Sequence, residues 1–290
     1  NPKNIVIFMP SIETGGADKN LFVISNFLAK NFKNITVITA SKIDKNKFDH
    51  NIEFISPRLF TWNKFGRNIK SFISILILIK IFFKKKNILV LSFQSNISAI
   101  ILCKIFFKKI ITRSNSFPNN WTSNFIKKYI FKKVYPLADN NIVNSMQTKK
   151  DFIKNYNTKP TCIYNPVDIK KIKSLSAKLA PKIFKKNKLK IINVGRLSKE
   201  KDHITFLKAL HSLGNQVNYD AIIMGQGKMK TKIEEFINDH NLKKNVRLIG
   251  YKPNPYPYIK QSDFVILTSL HEGLPNILLE AIVLKKFIIS

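Results

Sequence analysis

Two glutamates eight positions apart, Glu272 and Glu280, bracket a turn in the stretch Ser269-Leu270-His271-Glu272-Gly273-Leu274-Pro275-Asn276. Gly273 permits a tight backbone turn, and Pro275 suits a first helical position, where no amide donor is lost. A helix starting there leaves the amides of Asn276, Ile277 and Leu278 pointing outward, a site for an anionic or strongly polar ligand group. With Glu272 in the loop and Glu280 inside the helix, the carboxylates need not share a helical face and can hold opposite ends of one elongated ligand. Singly, Glu272 also reads as a solvated loop residue and Glu280 as a surface helix residue. The combination with Gly273, Pro275 and Asn276 is what argues for a site.

A second cluster, Gly195-Arg196-Leu197 followed by Lys199, Glu200 and Lys201, again ends an apolar run and precedes a helical pattern. Ligands of open α/β sheets sit at the carboxyl ends of strands, so these cations are expected to face the same crevice as the Glu272 loop. Arg grips phosphate oxygens through a planar fork and Lys supplies a compact charge, which together fit a diphosphate. Solvent-facing cations in a Lys-rich chain are the plainer alternative. Glu13-Thr14-Gly15-Gly16-Ala17-Asp18 and Gly225-Gln226-Gly227 also follow strand-like runs. Each reads equally as a close approach to a ligand or as a turn and nothing more.

The elements that must position these residues are βα units. Apolar runs of strand length fall at residues 4–9, 35–39, 52–55, 88–92, 110–113, 141–144 and 161–164, then at 190–194, 220–224, 246–249, 264–268 and 287–290. Helical patterns occupy most gaps, including residues 202–213, 228–240 and 275–284, which predicts α/β architecture with mostly parallel sheets. A chain of 290 residues exceeds one typical domain, and the Asn165-Pro166 turn followed by a Lys-dense stretch marks a boundary. The expected division is residues 1–165, a linker at 166–188, and 189–290. The second series stops in a strand, so a truncated second domain is expected.

Lys plus Arg number 50 against 17 Asp plus Glu, a formal charge of +33. Nucleic acid, an anionic membrane and phosphorylated small molecules are all compatible with that balance, as are solvated lysine faces without a partner. Cys103 and Cys162 stand far apart and the His residues do not cluster, so neither a disulfide framework nor a metal site is indicated, and a reducing compartment fits. The opening residues do not have the pattern of a signal peptide. The apolar segment 69–83 carries Lys70 and Lys80 and falls short of the roughly 20 residues that span a bilayer, so a helix is expected there.

In order, these features resemble the retaining glycosyltransferases of family 4, or group 1. The family's EGxPxxxxE signature stands as Glu272, Gly273, Pro275 and Glu280, its GRL...K block as Gly195, Arg196, Leu197 and Lys201, its GGAE-like loop as Gly15-Gly16-Ala17-Asp18 with Asp for Glu, and its NPVD turn as Asn165-Pro166-Val167-Asp168. The resemblance implies a GT-B fold: two Rossmann-like domains facing a central cleft, an acceptor-side domain first and an incomplete nucleotide-sugar-binding domain second. It implies transfer of a hexose or N-acetylhexosamine from a nucleoside diphosphate sugar, UDP-linked by resemblance, to a growing polysaccharide or lipid-linked glycan, without metal or other cofactor. Arg196 and Lys201 would bind the donor diphosphate. Glu272, with the turn Gly273, Leu274 and Pro275 and the amides of Asn276, Ile277 and Leu278, would hold the transferred sugar, and Glu280 the ribose hydroxyls. Gly16 and Gly195 would pack close to the donor, and Tyr251 with Lys252 would contact the base. Glu272, Arg196 and Lys201 are the catalytic candidates.

Where many members carry a His near the sugar, this chain reads Leu91-Ser92-Phe93-Gln94-Ser95-Asn96, which, like Arg113-Ser114-Asn115-Ser116-Phe117-Pro118, resembles the branch that builds bacterial surface polysaccharides. The implied location is cytoplasmic, with peripheral contact to the anionic inner face of the plasma membrane through residues 69–86 and 97–109. Packing of those apolar faces against a sheet is the alternative. Nucleic acid is not the expected partner, since the cations are scattered and no nucleic-acid module is recognised. A basic nucleic-acid-binding protein and an inactive glycosyltransferase fragment are the competing readings.

Overall fold

The computed structural model describes residues 4–12, 15–42, 44–57, 65–214 and 216–290. The chain divides into two compact units, Asn1–Pro166 and Val167–Ser290, each around its own sheet. Glu13 and Thr14 of the first glycine loop lie outside the described residues.

Unit 1 runs β1 (Asn4–Phe8), α1 (Gly16–Asn31), β2 (Ile35–Ile38), β3 (Ile52–Ile55), α2 (Arg67–Lys84), β4 (Ile88–Ser92), α3 (Asn96–Ile105), β5 (Lys109–Ser114), α4 (Phe125–Val134), β6 (Asn140–Val143), α5 (Met146–Tyr156) and β7 (Thr161–Cys162). Its sheet order is β3-β2-β1-β4-β5-β6-β7, and every pairing is parallel. A parallel strand is covered on both faces, so β1 is apolar without alternation. Its period-2 geometry divides those residues between two cores: Val6 and Phe8 join Leu78, Ile100 and Phe152, whereas Ile5 and Ile7 join Leu21, Ile35 and Val37. Full burial of each such side chain contributes about 1.5 to 3 kcal/mol.

Unit 2 begins with α6 (Ile169–Ser176) and continues β8 (Leu189–Val194), α7 (His203–Leu213), β9 (Tyr219–Met224), α8 (Lys230–Asp239), β10 (Val246–Leu248), α9 (Tyr256–Gln261), β11 (Phe264–Ile266), α10 (Asn276–Val283) and β12 (Phe287–Ile289). The parallel order is β10-β9-β8-β11-β12. The same alternation operates here: Ile191, Ala221 and Ile223 pack with Phe206, Leu207 and Leu210, while Ile192, Ile222 and Met224 pack with Ile259 and Ala281. The buried Asp220 carboxylate is held by Arg247 at 2.6 Å and by the Lys185 amide at 2.8 Å, which ties β9, β10 and the chain entering β8 together.

Several ends differ from the periodicity. Strand β7 stops at Cys162, with the Ile163 amide still donating to the Val143 carbonyl at 2.9 Å, and the Ile163 and Tyr164 side chains are exposed. Strand β11 stops at Ile266, and Thr268 turns its hydroxyl to neighbouring carbonyls. Asp202 is the cap of α7 and not its first residue, its carboxylate accepting from the Thr205 amide. Among the described residues no helix is long and apolar enough to cross a membrane.

Candidate functional site

Strand order reverses once in the sheet of unit 2, between β8 and β11. Loops leaving neighbouring strands in opposite directions open a crevice at the carboxyl ends, the usual ligand position in such sheets. The loop after β8 carries Gly195, Arg196 and Lys201; the loop after β11 carries Glu272, Gly273, Leu274 and Pro275.

These two loops are fastened to each other. The Thr268 hydroxyl sits 3.3 Å from the Lys201 carbonyl and donates to the Asp202 carbonyl at 2.8 Å, and the Leu270 amide donates to the Glu200 carbonyl at 2.9 Å. Lys201 and Glu272 form a direct ion pair between them. The Lys201 stem lies across Gly195, where an added Cβ would stand 3.7 Å from it. Leu197 is fully buried and anchors the loop, leaving Arg196 exposed at its tip. One pair of loops therefore carries a guanidinium, an ammonium and a carboxylate.

A third loop supports the first. The Gly195 amide donates to the Met224 carbonyl at 3.0 Å and the Leu197 amide to the Gln226 carbonyl at 2.9 Å. This backbone-to-backbone approach requires glycines, because a Cβ on Gly225 would fall 1.8 Å from the Gly195 carbonyl oxygen and one on Gly227 2.3 Å from that of Leu197. Gly225 and Gly227 thus serve the loop that bears Arg196.

The remaining candidates are placed as follows. Pro275 is the residue before α10 and not its first residue, and the Leu278 amide is already bonded to the Pro275 carbonyl at 3.2 Å, so it is not an outward donor. Asn276 and Ile277 open the helix. Glu280 is buried, not a surface residue, and accepts a hydrogen bond from the Tyr256 hydroxyl at 3.3 Å. Tyr251 is exposed and follows β10, beside Gly250, whose carbonyl accepts from the Gly225 amide at 3.0 Å; Lys252 is partly exposed next to it. Gly16 is the first residue of α1 and belongs to unit 1. In unit 1, order reverses between β1 and β4, where the Ser11 amide donates to the Gln94 side chain at 3.0 Å. Arg113 is buried and donates to Asn165 at 2.9 Å, fixing the turn that ends that unit.

Residues overlooked in the sequence include Thr268, Tyr256 and His203. His203 opens α7, directly after the Lys201 turn, and is buried with no hydrogen-bond partner on either ring nitrogen among the described residues. Burial, and then the neighbouring Lys201 charge, pull its pKa from 6.5 to about 4, against a weaker opposite pull from Asp202. Only its position within a Lys-Asp-His run signalled it.

Unit 2 is thus a Rossmann-like domain with a charged loop cluster at its strand-order reversal, the arrangement by which such sheets bind ligands. Residues 177–290 match the family of glycosyl transferases group 1. The chain is 33% identical over 163 residues to an uncharacterized glycosyltransferase of Methanocaldococcus jannaschii, covering 54% of this chain and 40% of that protein. It is 32% identical over 152 residues to an N-acetylgalactosamine-N,N'-diacetylbacillosaminyl-diphospho-undecaprenol 4-alpha-N-acetylgalactosaminyltransferase of Campylobacter jejuni, covering 51% of this chain and 40% of that one. The chain spans about 40% of the length of these curated relatives. Among solved structures, Anabaena HepE in complex with UDP and glucose matches with a TM-score of 0.76 at 17% identity, over 99% of this chain and 80% of that one. The fold is accordingly the GT-B type.

Two outcomes follow from this packing. Gly225→Ala should lower stability by about 2 kcal/mol or more, since backbone must move, whereas Gly66→Ala, with nothing within 4 Å, should leave it nearly unchanged; thermal melts of the two variants decide. His203 lowers stability as pH falls. Above 6.5 the ring is neutral folded and unfolded; between 6.5 and about 4 only the unfolded chain takes the proton; below about 4 the loss is complete. Urea unfolding of wild type should therefore lose about 2.5 kcal/mol more than His203→Phe between about pH 7 and pH 4.5. Equal losses would contradict a buried neutral imidazole.

Proposed function

We propose that this protein is a retaining glycosyltransferase that moves a hexose or N-acetylhexosamine from a UDP sugar to a hydroxyl of a growing polysaccharide or lipid-linked glycan. The observation that carries this reading is the fastening of the Arg196–Lys201 loop to the Glu272 loop at the order reversal of the unit 2 sheet. The family of residues 177–290 and the diphospho-undecaprenol substrate in the name of the Campylobacter jejuni relative support it.

Arg196 and Lys201 bind the donor diphosphate, and a phosphate oxygen shares Lys201 with Glu272. The Lys201 stem passes beside Gly195, which lines the same loop. Glu272 accepts from hydroxyls of the transferred sugar, with the backbone of Gly273, Leu274, Asn276 and Ile277 beside it. Glu280, oriented by Tyr256, accepts from the ribose hydroxyls, and Tyr251 meets the base.

As the sugar C1–O bond to phosphate breaks, negative charge grows on the departing diphosphate, and the fixed cations stabilise it most at that moment. The acceptor hydroxyl attacks C1 from the same face and gives its proton to the leaving phosphate oxygen, so configuration is retained without a covalent protein intermediate. The reaction takes place at the cytoplasmic side of the plasma membrane.

Calorimetry with UDP and transfer assays with UDP sugars test the assignment. Arg196→Ala should weaken UDP binding by roughly thirtyfold, the worth of a charge-assisted phosphate contact. Glu272→Ala should leave UDP binding intact and abolish sugar transfer. Undiminished transfer by either variant would refute its role.

A further inference from the structure

Of the lysines on α2, α3 and α4, only Lys70 is buried, with 8% of its surface exposed. It lies four residues into α2, and long helical side chains lean toward the helix N-terminus, here the carboxyl end of the sheet. Its ammonium carries three protons. Among the described residues it donates only to the Ser41 hydroxyl, at 3.2 Å, and forms no ion pair. That hydroxyl also accepts from the Ile12 amide at 3.0 Å, so the ammonium is seated against the loops that follow β1 and β2. A charge taken out of water is costly unless an opposite charge meets it. No carboxylate of the described residues meets this one.

The groups beside Lys70 indicate what supplies that charge. Ser71, the next residue, shares a hydrogen bond of 2.6 Å with the hydroxyl of Ser95, the residue before α3. Ser95 holds a left-handed φ of +54°, uncommon for a serine, and the Ser92 hydroxyl fixes its turn by donating to Asn96 at 2.8 Å. Gln94 in the same turn accepts from the Ser11 amide at 3.0 Å, across the order reversal between β1 and β4. A buried ammonium therefore stands beside hydroxyl and amide side chains at the switch point of the unit 1 sheet, where α/β sheets take ligands.

Charge and polarity select the ligand. One buried ammonium balances one negative charge, which a carboxylate brings, whereas a phosphate monoester brings about 1.5 to 2 at neutral pH. Arg113, another buried cation of unit 1, is already engaged with Asn165 at 2.9 Å. An apolar carboxylate would leave Ser71, Ser95 and Gln94 without a partner in the ligand. A sugar acid uses both features, its carboxylate on the ammonium and its hydroxyls on the neighbouring polar side chains.

We propose that the crevice at the order reversal of the unit 1 sheet binds a sugar bearing one carboxylate, with Lys70 taking the carboxylate and Ser71, Ser95 and Gln94 the adjacent hydroxyls. Only the role of that sugar as acceptor rests on the proposed function; its binding is read without any donor.

The test is calorimetry of the 290-residue chain with methyl glucuronide, methyl glucoside and glucose 6-phosphate, in the absence of nucleotide. The glucuronide should bind tightest. Lys70→Met should weaken it roughly tenfold or more, the worth of a hydrogen bond to a charged group, and leave the glucoside unchanged. Ser71→Ala with Ser95→Ala should weaken glucuronide and glucoside alike. Without ligand, Lys70→Met should melt no lower than wild type, since it removes an unpaired buried charge. Glucuronide bound no tighter than glucoside, tighter binding of glucose 6-phosphate, or full glucuronide affinity in Lys70→Met would overturn the proposal. UDP is titrated separately: its failure to bind wild type would count against the donor reading and leave the glucuronide result standing.

Discussion

The loop after β11 is held against the loop after β8 by one threonine and one amide. Thr268 places its hydroxyl on the carbonyls of Lys201 and Asp202, and Leu270 donates to Glu200. Everything chemical in unit 2 depends on that fastening, because it brings a glutamate within ion-pair reach of a lysine 71 positions earlier. The glycines at 225 and 227 extend the constraint to a third loop, since no larger residue admits the carbonyls of Gly195 and Leu197 so closely. Backbone hydrogen bonding makes such a cluster rigid, so its charges would need little reorganisation to receive the diphosphate proposed for it.

Much of the architecture was legible in the sequence for a simple reason. Parallel strands buried on both faces appear as continuous apolar runs, such as Ile5 to Phe8 in β1 and Ala221 to Met224 in β9, and each is followed by a helical pattern. Less legible was whatever depends on distant partners. Asp220 begins the apolar run of β9 without any local sign of the Arg247 that holds it. Glycine spacing alone could not separate a turn from the backbone approach that Gly225 and Gly227 make, and nothing in Pro255-Tyr256-Pro257 announced a hydroxyl bonded to Glu280. The apolar segment 69–83 was legible as a helix, but its composition could not show that Ile69, Phe72, Leu76 and Phe83 stay exposed. The motif residues Gly195, Arg196, Lys201 and Glu272 were legible as types and spacing, while the pairing of Lys201 with Glu272 was not.

The two units divide the physical work differently. Unit 2 concentrates opposite charges in a small cluster at the end of its sheet, where partial burial and fixed geometry leave each charge less screened than on open surface. Unit 1 spreads like charges over three acid-free helices beside exposed apolar side chains, and of the lysines on those helices it buries only Lys70. The formal charge of +33 is therefore a sum over distinct arrangements, and its size alone identifies neither.

The most direct test of the central claim is a crystal structure of the chain with UDP bound. The account predicts the diphosphate at the carboxyl ends of β8 and β11, within hydrogen-bond distance of Arg196 and Lys201, and the ribose on Glu280. A diphosphate seated away from those loops, with Arg196 and Lys201 untouched, would contradict it.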